Sequence, residues 1–132
     1  PRSKLPEVIA FISQISAKYN LRITNCFHAG DGNLHPAIMF DNTNPDDIRR
    51  TLEAAHEILR YCISIGGVAT GEHGVGIEKL PLLRDMFSPA DLAAMHTVRR
   101  AFAPSDLMNP FKSLPREGIE IDLLQPGRHV PQ

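Results

Sequence analysis

Apolar residues recur every three or four positions in three stretches of the chain. This spacing puts them on one face of a helix and predicts helices over residues 6–18, 45–65 and 89–102. The third stretch has the clearest start signal. Ser88 precedes Pro89, and Asp91 follows at the position where a capping box requires an acid.

Two shorter stretches alternate between apolar and polar side chains. Residues 22–28 and 34–41 contain β-branched residues in this pattern, which predicts two strands. The glycine, aspartate and asparagine residues between them favour a tight turn, so the two strands are predicted to form a hairpin. Gly66 and Gly67 end the second helix, and residues 68–70 are predicted to form a third, short strand.

The order helix, strand, strand, helix, strand, helix indicates an α+β fold with helices on one face of an antiparallel sheet. It corresponds to a partial ferredoxin-like cap domain without its first strand, followed by a C-terminal helix and an extended tail. We expect Leu107, Met108 and Phe111 to anchor residues 103–115, and residues 117–132 to be flexible. The missing strand and a start at Pro1 suggest a piece of a larger protein.

Composition excludes two classes of partner. The net charge is −1 and the basic residues are scattered, so no footprint for nucleic acid is present. The apolar runs are far shorter than a membrane span, and no signal peptide opens the chain. Cys26 and Cys62 are most simply interpreted as two buried thiols of a cytoplasmic protein, although a disulfide between them stays open.

The first chemical motif is a pair of histidines around a glycine-rich turn. His28 and His35 flank residues 29–34, so they can oppose each other across the predicted hairpin and converge on one metal ion. Asp31 and Asn33 suit the turn, and the Asn33 amide is also available to a ligand. A plain hairpin without a site is the alternative.

The second motif is the glycine-rich segment of residues 71–76. Its glycines allow positive φ, so Glu72 and His73 are able to face one pocket if no regular strand continues there. Glu72 can then complete a His/His/Glu metal site with an open position, with His73 beside it as a proton acceptor. A tight connection or a phosphate nest is the alternative, but the lysine and Ser/Thr of a phosphate-binding loop are missing.

Residues 28–35 and 71–76, followed by residues 106–112, together resemble the C-terminal domain of the FAD-linked oxidases. This group contains the glycolate oxidase flavin subunit, D-lactate dehydrogenases and D-2-hydroxyglutarate dehydrogenase. Residues 1–6 also resemble the segment before the first helix of that domain. The resemblance covers residues 1–116 and implies the substrate-side, or cap, part of such an oxidase, with the flavin-binding domain outside these residues.

The resemblance assigns roles to individual residues. It implies that His28, His35 and Glu72 hold a divalent metal, Zn or Mn, and that His73 is the catalytic base. The remaining candidates are polar or basic: Asn33, Arg2 and Lys79 for substrate, and Asn109 and Lys112 for the flavin side. A surface role for Arg2 and Lys79 is equally open.

The implied activity is oxidation of a 2-hydroxy acid to a 2-oxo acid with hydride transfer to FAD, which the isolated piece would not perform alone. The implied partners are a small 2-hydroxy acid, the protein's own N-terminal FAD-binding domain and an electron-acceptor subunit, through which a cytoplasmic protein could be associated peripherally with a membrane. The alternatives from the residues alone are a stand-alone metal-binding module of ferredoxin-like shape and a small metallohydrolase that activates water.

Two positions depart from the family pattern. Ala37 stands where members that act on 2-hydroxyglutarate have asparagine, so that specificity is not implied. Phe111 replaces the common glycine of the Asn-Pro-Gly-Lys segment, a change that is also found in relatives.

Overall fold

A computed structural model describes residues 1–105, 107–110 and 112–116. The contacts divide the chain into two units, Pro1–Gly71 and Glu72–Gln132.

The helices of the first unit are confirmed within two residues of their predicted ends. After a 3-10 turn at Arg2–Lys4, helix α1 covers Leu5–Tyr19 and helix α2 covers Pro45–Ser64. Asn20, the residue after helix α1, caps the helix in the left-handed conformation (φ 50°) that asparagine tolerates. Helix α2 begins after Asn44, whose side chain accepts a hydrogen bond from the Asp46 N–H at 3.0 Å.

The predicted hairpin is confirmed. Strand β1 (Arg22–His28) pairs antiparallel with strand β2 (Asn33–Met39), in a register that joins Arg22 to Met39 at one end and His28 to Asn33 at the other. Strand β2 stops before Asp41, since Asp41 instead accepts a hydrogen bond from the Thr43 N–H at 2.8 Å in a local turn.

One face of the hairpin is covered by the helices. Ile23, Leu34 and Ile38 pack against the core of the unit, which consists of Val8, Ile12, Ile15, Leu21, Ala54 and Ile58. The alternation of strand side chains sends the other positions to the opposite face. That face, called the open face below, carries Arg22, Thr24, Cys26 and His28 from β1 and Asn33, His35, Ala37 and Met39 from β2. The prediction of helices on one face of an antiparallel sheet therefore holds.

The third strand was predicted wrongly. In the described part of the chain the sheet has two strands, and residues 68–70 belong to neither. Val68 is 57% exposed, and Gly67 donates its N–H back to the Cys62 carbonyl at 2.8 Å. A β-branched run becomes a strand only where another strand pairs with it, and none of the described residues provides one.

Two short helical turns and one longer helix are found in the described residues of the second unit. A 3-10 helix at Leu80–Leu82 leads into helix α3 (Leu83–Met86), and helix α4 covers Pro89–Phe102. The capping box of Ser88 and Asp91 is confirmed, with both reciprocal hydrogen bonds present. The first two turns were missed in the sequence, although they bury Leu80, Leu82 and Leu83.

Two of the three predicted apolar anchors do not hold the segment after α4, which makes polar contacts instead. Leu107 is 87% exposed and Met108 is 58% exposed. His96 instead contacts the Pro115 carbonyl oxygen through Nε2 at 2.8 Å, and Arg84 donates to the Arg116 carbonyl at 2.7 Å. The third anchor, Phe111, and the tail of residues 117–132 lie outside the described residues.

Among the residues that the structure describes, no helix has both the length and the apolar character that a membrane span requires.

Candidate functional site

The histidine pair lies on the open face, but the two residues are not direct partners. His28 is paired with Asn33, and His35 with Cys26. The prediction that the two histidines lie directly opposite each other is therefore wrong, because the partner of His28 is two residues before His35. The turn consumes fewer residues than a symmetric pairing of the two histidines would need. Their rings still approach, with centroids 5.3 Å apart and planes at 87°.

The hairpin turn is fixed by backbone hydrogen bonds. The N–H groups of Asp31 and Gly32 both donate to the His28 carbonyl at 3.0 Å, and Gly32 adopts a φ of 76° that favours glycine. Arg2 lies against this turn and donates through Nη1 to the Gly30 carbonyl at 3.4 Å. The basic residue that the sequence suggested for substrate is thus next to the histidine hairpin.

Gly71 packs closely on the side chain of Asn33. A Cβ atom at Gly71 would lie 2.4 Å from Asn33 Oδ1, so only glycine fits here without a shift. Asn33 is in turn the cross-strand partner of His28. The side chain of Asn33, which the sequence suggested for substrate binding, therefore contacts Gly71 in the structure.

Glu72 follows Gly71 directly. Glu72 is the first residue of the second unit, and the peptide bond joins it to Gly71, the residue that packs on Asn33. The residues present fit a divalent metal, because two imidazoles and a carboxylate are the donor set of open zinc sites.

His73 follows Glu72 in the chain and has an exposed side chain. Its Nε2 lies 3.5 Å from Glu72 Oε1, and its side chain is 70% exposed. The backbone bends through residues 71–73 rather than continuing a strand, as the sequence required if the two side chains were to share a side. The loop goes on through Gly74 (φ 84°), whose carbonyl is 3.5 Å from Lys79 Nζ.

The two candidates for the flavin side belong to the second unit. Asn109 and Lys112 are both exposed, and Asn109 adopts a positive φ of 45°. Asp106 and Phe111 of the same motif lie outside the described residues.

Cys26 was misjudged in the sequence. Both cysteines are free, so the disulfide is not formed, but Cys26 is exposed rather than buried. It lies on the open face as the direct partner of His35, and Thr24 lies two positions further as the partner of Ala37. Counting back from His28 in steps of two would have identified both residues. Cys62, by contrast, is partly buried, and desolvation raises the pKa of its thiol.

The comparisons with known proteins agree with the motifs. The family model described as FAD linked oxidases, C-terminal domain, matches residues 1–113. Glycolate oxidase subunit GlcD of Escherichia coli (strain K12) is 43% identical over 115 residues, which cover 87% of this chain and 23% of that protein. GlcD of Bacillus subtilis (strain 168) is 39% identical over 117 residues, covering 89% of this chain and 25% of that protein.

A third relative carries a different name. The D-lactate dehydrogenase [cytochrome], mitochondrial, of Arabidopsis thaliana is 35% identical over 115 residues, covering 87% of this chain and 20% of that protein. The chain thus spans a quarter or less of the length of these relatives.

Proposed function

Because the chain belongs to the family of FAD-linked oxidase C-terminal domains, we propose that its full-length protein oxidises a small 2-hydroxy acid, of the glycolate or D-lactate type, to the 2-oxo acid. The support is the naming of relatives as glycolate oxidase subunits and D-lactate dehydrogenases, together with the His/His/Glu group of this chain. FAD, bound mainly by a domain outside these residues, supplies the hydride acceptor.

In this proposal His28, His35 and Glu72 hold a divalent ion, Zn or Mn, on the open face of the hairpin. The observation that supports the assignment is the approach of the two imidazole rings on that face, with centroids 5.3 Å apart, together with the packing of Gly71, which precedes Glu72, on Asn33. A bound ion supplies Lewis-acid chemistry at the hydroxyl and carboxylate of the acid. Three protein ligands would leave a coordination position for the substrate, as catalytic zinc sites do.

His73 is proposed as the base. Oxidation at C2 removes a hydride from carbon and a proton from oxygen, so the new C=O bond forms only if a group accepts that proton. His73 is the exposed imidazole that is adjacent in the chain to a proposed ligand and 3.5 Å from its carboxylate. A positioned base of this kind typically contributes about 10²–10⁴-fold.

Three further side chains are proposed to contact the substrate. Arg2 at the hairpin turn contacts the Gly30 carbonyl at 3.4 Å and Lys79 contacts the Gly74 carbonyl at 3.5 Å. Both partners are uncharged, and a substrate carboxylate would make a stronger, charge-assisted hydrogen bond with either cation. The Asn33 amide borders His28 on the same face. Asn109 and Lys112 are proposed to face the flavin, and an electron-acceptor subunit to reoxidise it.

The test is anaerobic flavin bleaching of the full-length protein with a panel of D- and L-2-hydroxy acids. We expect a short 2-hydroxy acid to reduce the flavin. His28→Ala and His35→Ala should each remove the metal, measured by elemental analysis, and abolish bleaching. Glu53→Gln, a surface change on α2, is the control. Unchanged metal content and bleaching in both histidine variants would reject the site, and no bleaching by any acid would reject the activity.

A further inference from the structure

We infer that Cys26 and Thr24 line the part of the substrate site that receives the substituent on C2 of the acid. These two residues would then restrict the enzyme to 2-hydroxy acids with a short, uncharged substituent. The inference rests on the proposed function and adds two specificity-determining residues to it.

The side of the hairpin that a ligand can occupy is decided by packing. The face of Ile23, Leu34 and Ile38 is filled by the core of the first unit. A molecule held at His28 and His35 must therefore lie over the open face, where Thr24 and Cys26 are both exposed. Their side chains point to the same side as the imidazoles because strand side chains alternate.

Distance orders the two residues along that face. Cys26 is the direct partner of His35, which sets their Cα atoms about 4.5–5.5 Å apart, and it is two residues, about 6.6–6.8 Å, from His28. Thr24 lies one such step further from both histidines. Cys26 would meet the first carbon of a substituent, and Thr24 only a longer one.

The position of Arg2 gives the substrate a direction. Arg2 lies at the turn, beside Gly30 and Gly32, whereas Cys26 and Thr24 lie on the other side of His28 along β1. An acid whose carboxylate is drawn toward Arg2 while its hydroxyl is at the histidines directs its remaining substituent along β1 toward Cys26.

Charge limits what that substituent can be. Among the open-face residues beyond the histidines, Thr24, Cys26, Ala37 and Met39 are uncharged, and the one cation is Arg22. Arg22 is six residues before His28, about 20 Å along an extended strand, which is too far to meet the second carboxylate of a short dicarboxylic acid. A second carboxylate that lost its water beside Cys26 in the full-length protein would gain no cation from the open face in return, which is costly.

The experiment changes the size of Cys26 in both directions in the full-length flavoprotein. Glycolate, lactate and 2-hydroxybutyrate form a series of increasing substituent length. Cys26→Leu should lower kcat/KM for 2-hydroxybutyrate relative to glycolate by about tenfold or more, as an added methylene or two in a pocket does. Cys26→Ala should raise the same ratio. Thr24→Leu should affect 2-hydroxybutyrate more than lactate.

A matched control and a binding readout keep the test specific. Met39→Phe adds bulk at the far end of the same face and should leave the ratios unchanged. The dissociation constants of glyoxylate, pyruvate and 2-oxobutyrate, followed by perturbation of the flavin spectrum, should shift in parallel with the kinetic ratios. Metal and flavin content verify that each variant is assembled. If Cys26→Leu does not fold, the kcat/KM ratio of Cys26→Ala tests the role of Cys26.

The outcomes separate the two levels of the proposal. Ratios that stay unchanged in Cys26→Ala and Thr24→Leu, with 2-hydroxy acids still oxidised, overturn this inference alone. A preference of the unaltered enzyme for a dicarboxylic acid also overturns it. If the unaltered enzyme oxidises no 2-hydroxy acid, the proposed function fails and this inference fails with it.

Discussion

His28 and His35 lie diagonally on one face of a two-stranded hairpin, with ring centroids 5.3 Å apart although neither residue is the other's cross-strand partner. Diagonal positions on a sheet are about 7–8 Å apart, so the rings lean toward each other. The direct partners, Asn33 and Cys26, occupy the corners between them. A third ligand can therefore approach over Asn33, and a substrate over Cys26.

The contact between Gly71 and Asn33 gives the first prediction. Gly71→Ala places a Cβ atom 2.4 Å from Asn33 Oδ1, so either the Asn33 side chain beside His28 or the loop that carries Glu72 must move. We expect metal affinity in the full-length protein to fall about 10–100-fold, the usual effect of disturbing the support of a ligand. Competition with a chromophoric chelator measures it.

Gly30→Ala is the matched control for this prediction. A Cβ atom at Gly30 meets nothing within 4 Å, and Gly30 needs no positive φ. Its metal affinity should equal that of the unaltered protein. Equal affinities for Gly71→Ala and the unaltered protein would mean that the fit of Gly71 does not position Glu72.

The second prediction concerns the core of the first unit. Ile12 is 1% exposed and belongs to the core cluster that also contains Ala54 and Ile58 of helix α2. Ile12→Ala should lower the free energy of unfolding by about 2–5 kcal/mol, measured by urea denaturation, because the cavity left in a packed core adds to the lost burial. Val98→Ala, at a position 61% exposed, should change it by less than about 0.5 kcal/mol. A similar loss in both variants would contradict the assignment of the core.

Local sequence patterns predicted most of the fold. Helices α1, α2 and α4 and the hairpin were predictable because apolar spacing, the Ser88 capping box and the glycine-rich turn act within a few residues of one another. The turn at Leu80–Leu82 was missed because a run so short has no period to detect. Residues 68–70 were predicted as a strand because a β-branched residue indicates extended backbone but not a pairing partner.

The sequence names candidate residues for the site but not the register of the hairpin. Ligand-type side chains and glycines are visible in the sequence, so His28, His35 and Glu72 stand as predicted ligands, whereas the pairing of the two strands is not visible. Which residues face each other depends on how many positions the turn uses, and a change of one residue moves a side chain to the other face. For that reason the exposed position of Cys26 opposite His35 could be identified only from the structure.

The third prediction is a pH dependence of stability. Hydrogen bonds from Lys18 Nζ (2.7 Å) and the Tyr19 hydroxyl (2.9 Å) lower the pKa of Glu57. A carboxyl whose pKa is lower in the folded protein stabilises it above the unfolded pKa of about 4.3, and this stabilisation is lost as the pH falls through the lowered value. Glu57→Gln should therefore be less stable than the unaltered protein at pH 7, with the difference shrinking below about pH 4.

Thermal unfolding at a series of pH values measures this difference. Glu53→Gln, one turn away on the same helix, removes an exposed carboxylate that pairs with Arg49 and should have the smaller effect at pH 7. A constant difference between Glu57→Gln and the unaltered protein from pH 7 to pH 3 would contradict the role of the Glu57 carboxylate.

The fourth prediction separates metal binding from proton transfer at adjacent residues. Glu72→Gln removes a charged ligand and should lower the metal content, whereas His73→Gln should leave the metal bound, since His73 is not in the ligand group. The His73 variant lacks the group proposed to accept the hydroxyl proton, so flavin reduction in single-turnover experiments should slow by about 10²–10⁴-fold. Elemental analysis and stopped-flow absorbance give the two readouts on the same samples.

A normal reduction rate in His73→Gln would remove His73 as the base, and full metal content in Glu72→Gln would remove Glu72 as a ligand. Loss of metal in His73→Gln would instead indicate that the imidazole 3.5 Å from the Glu72 carboxylate holds that carboxylate in place.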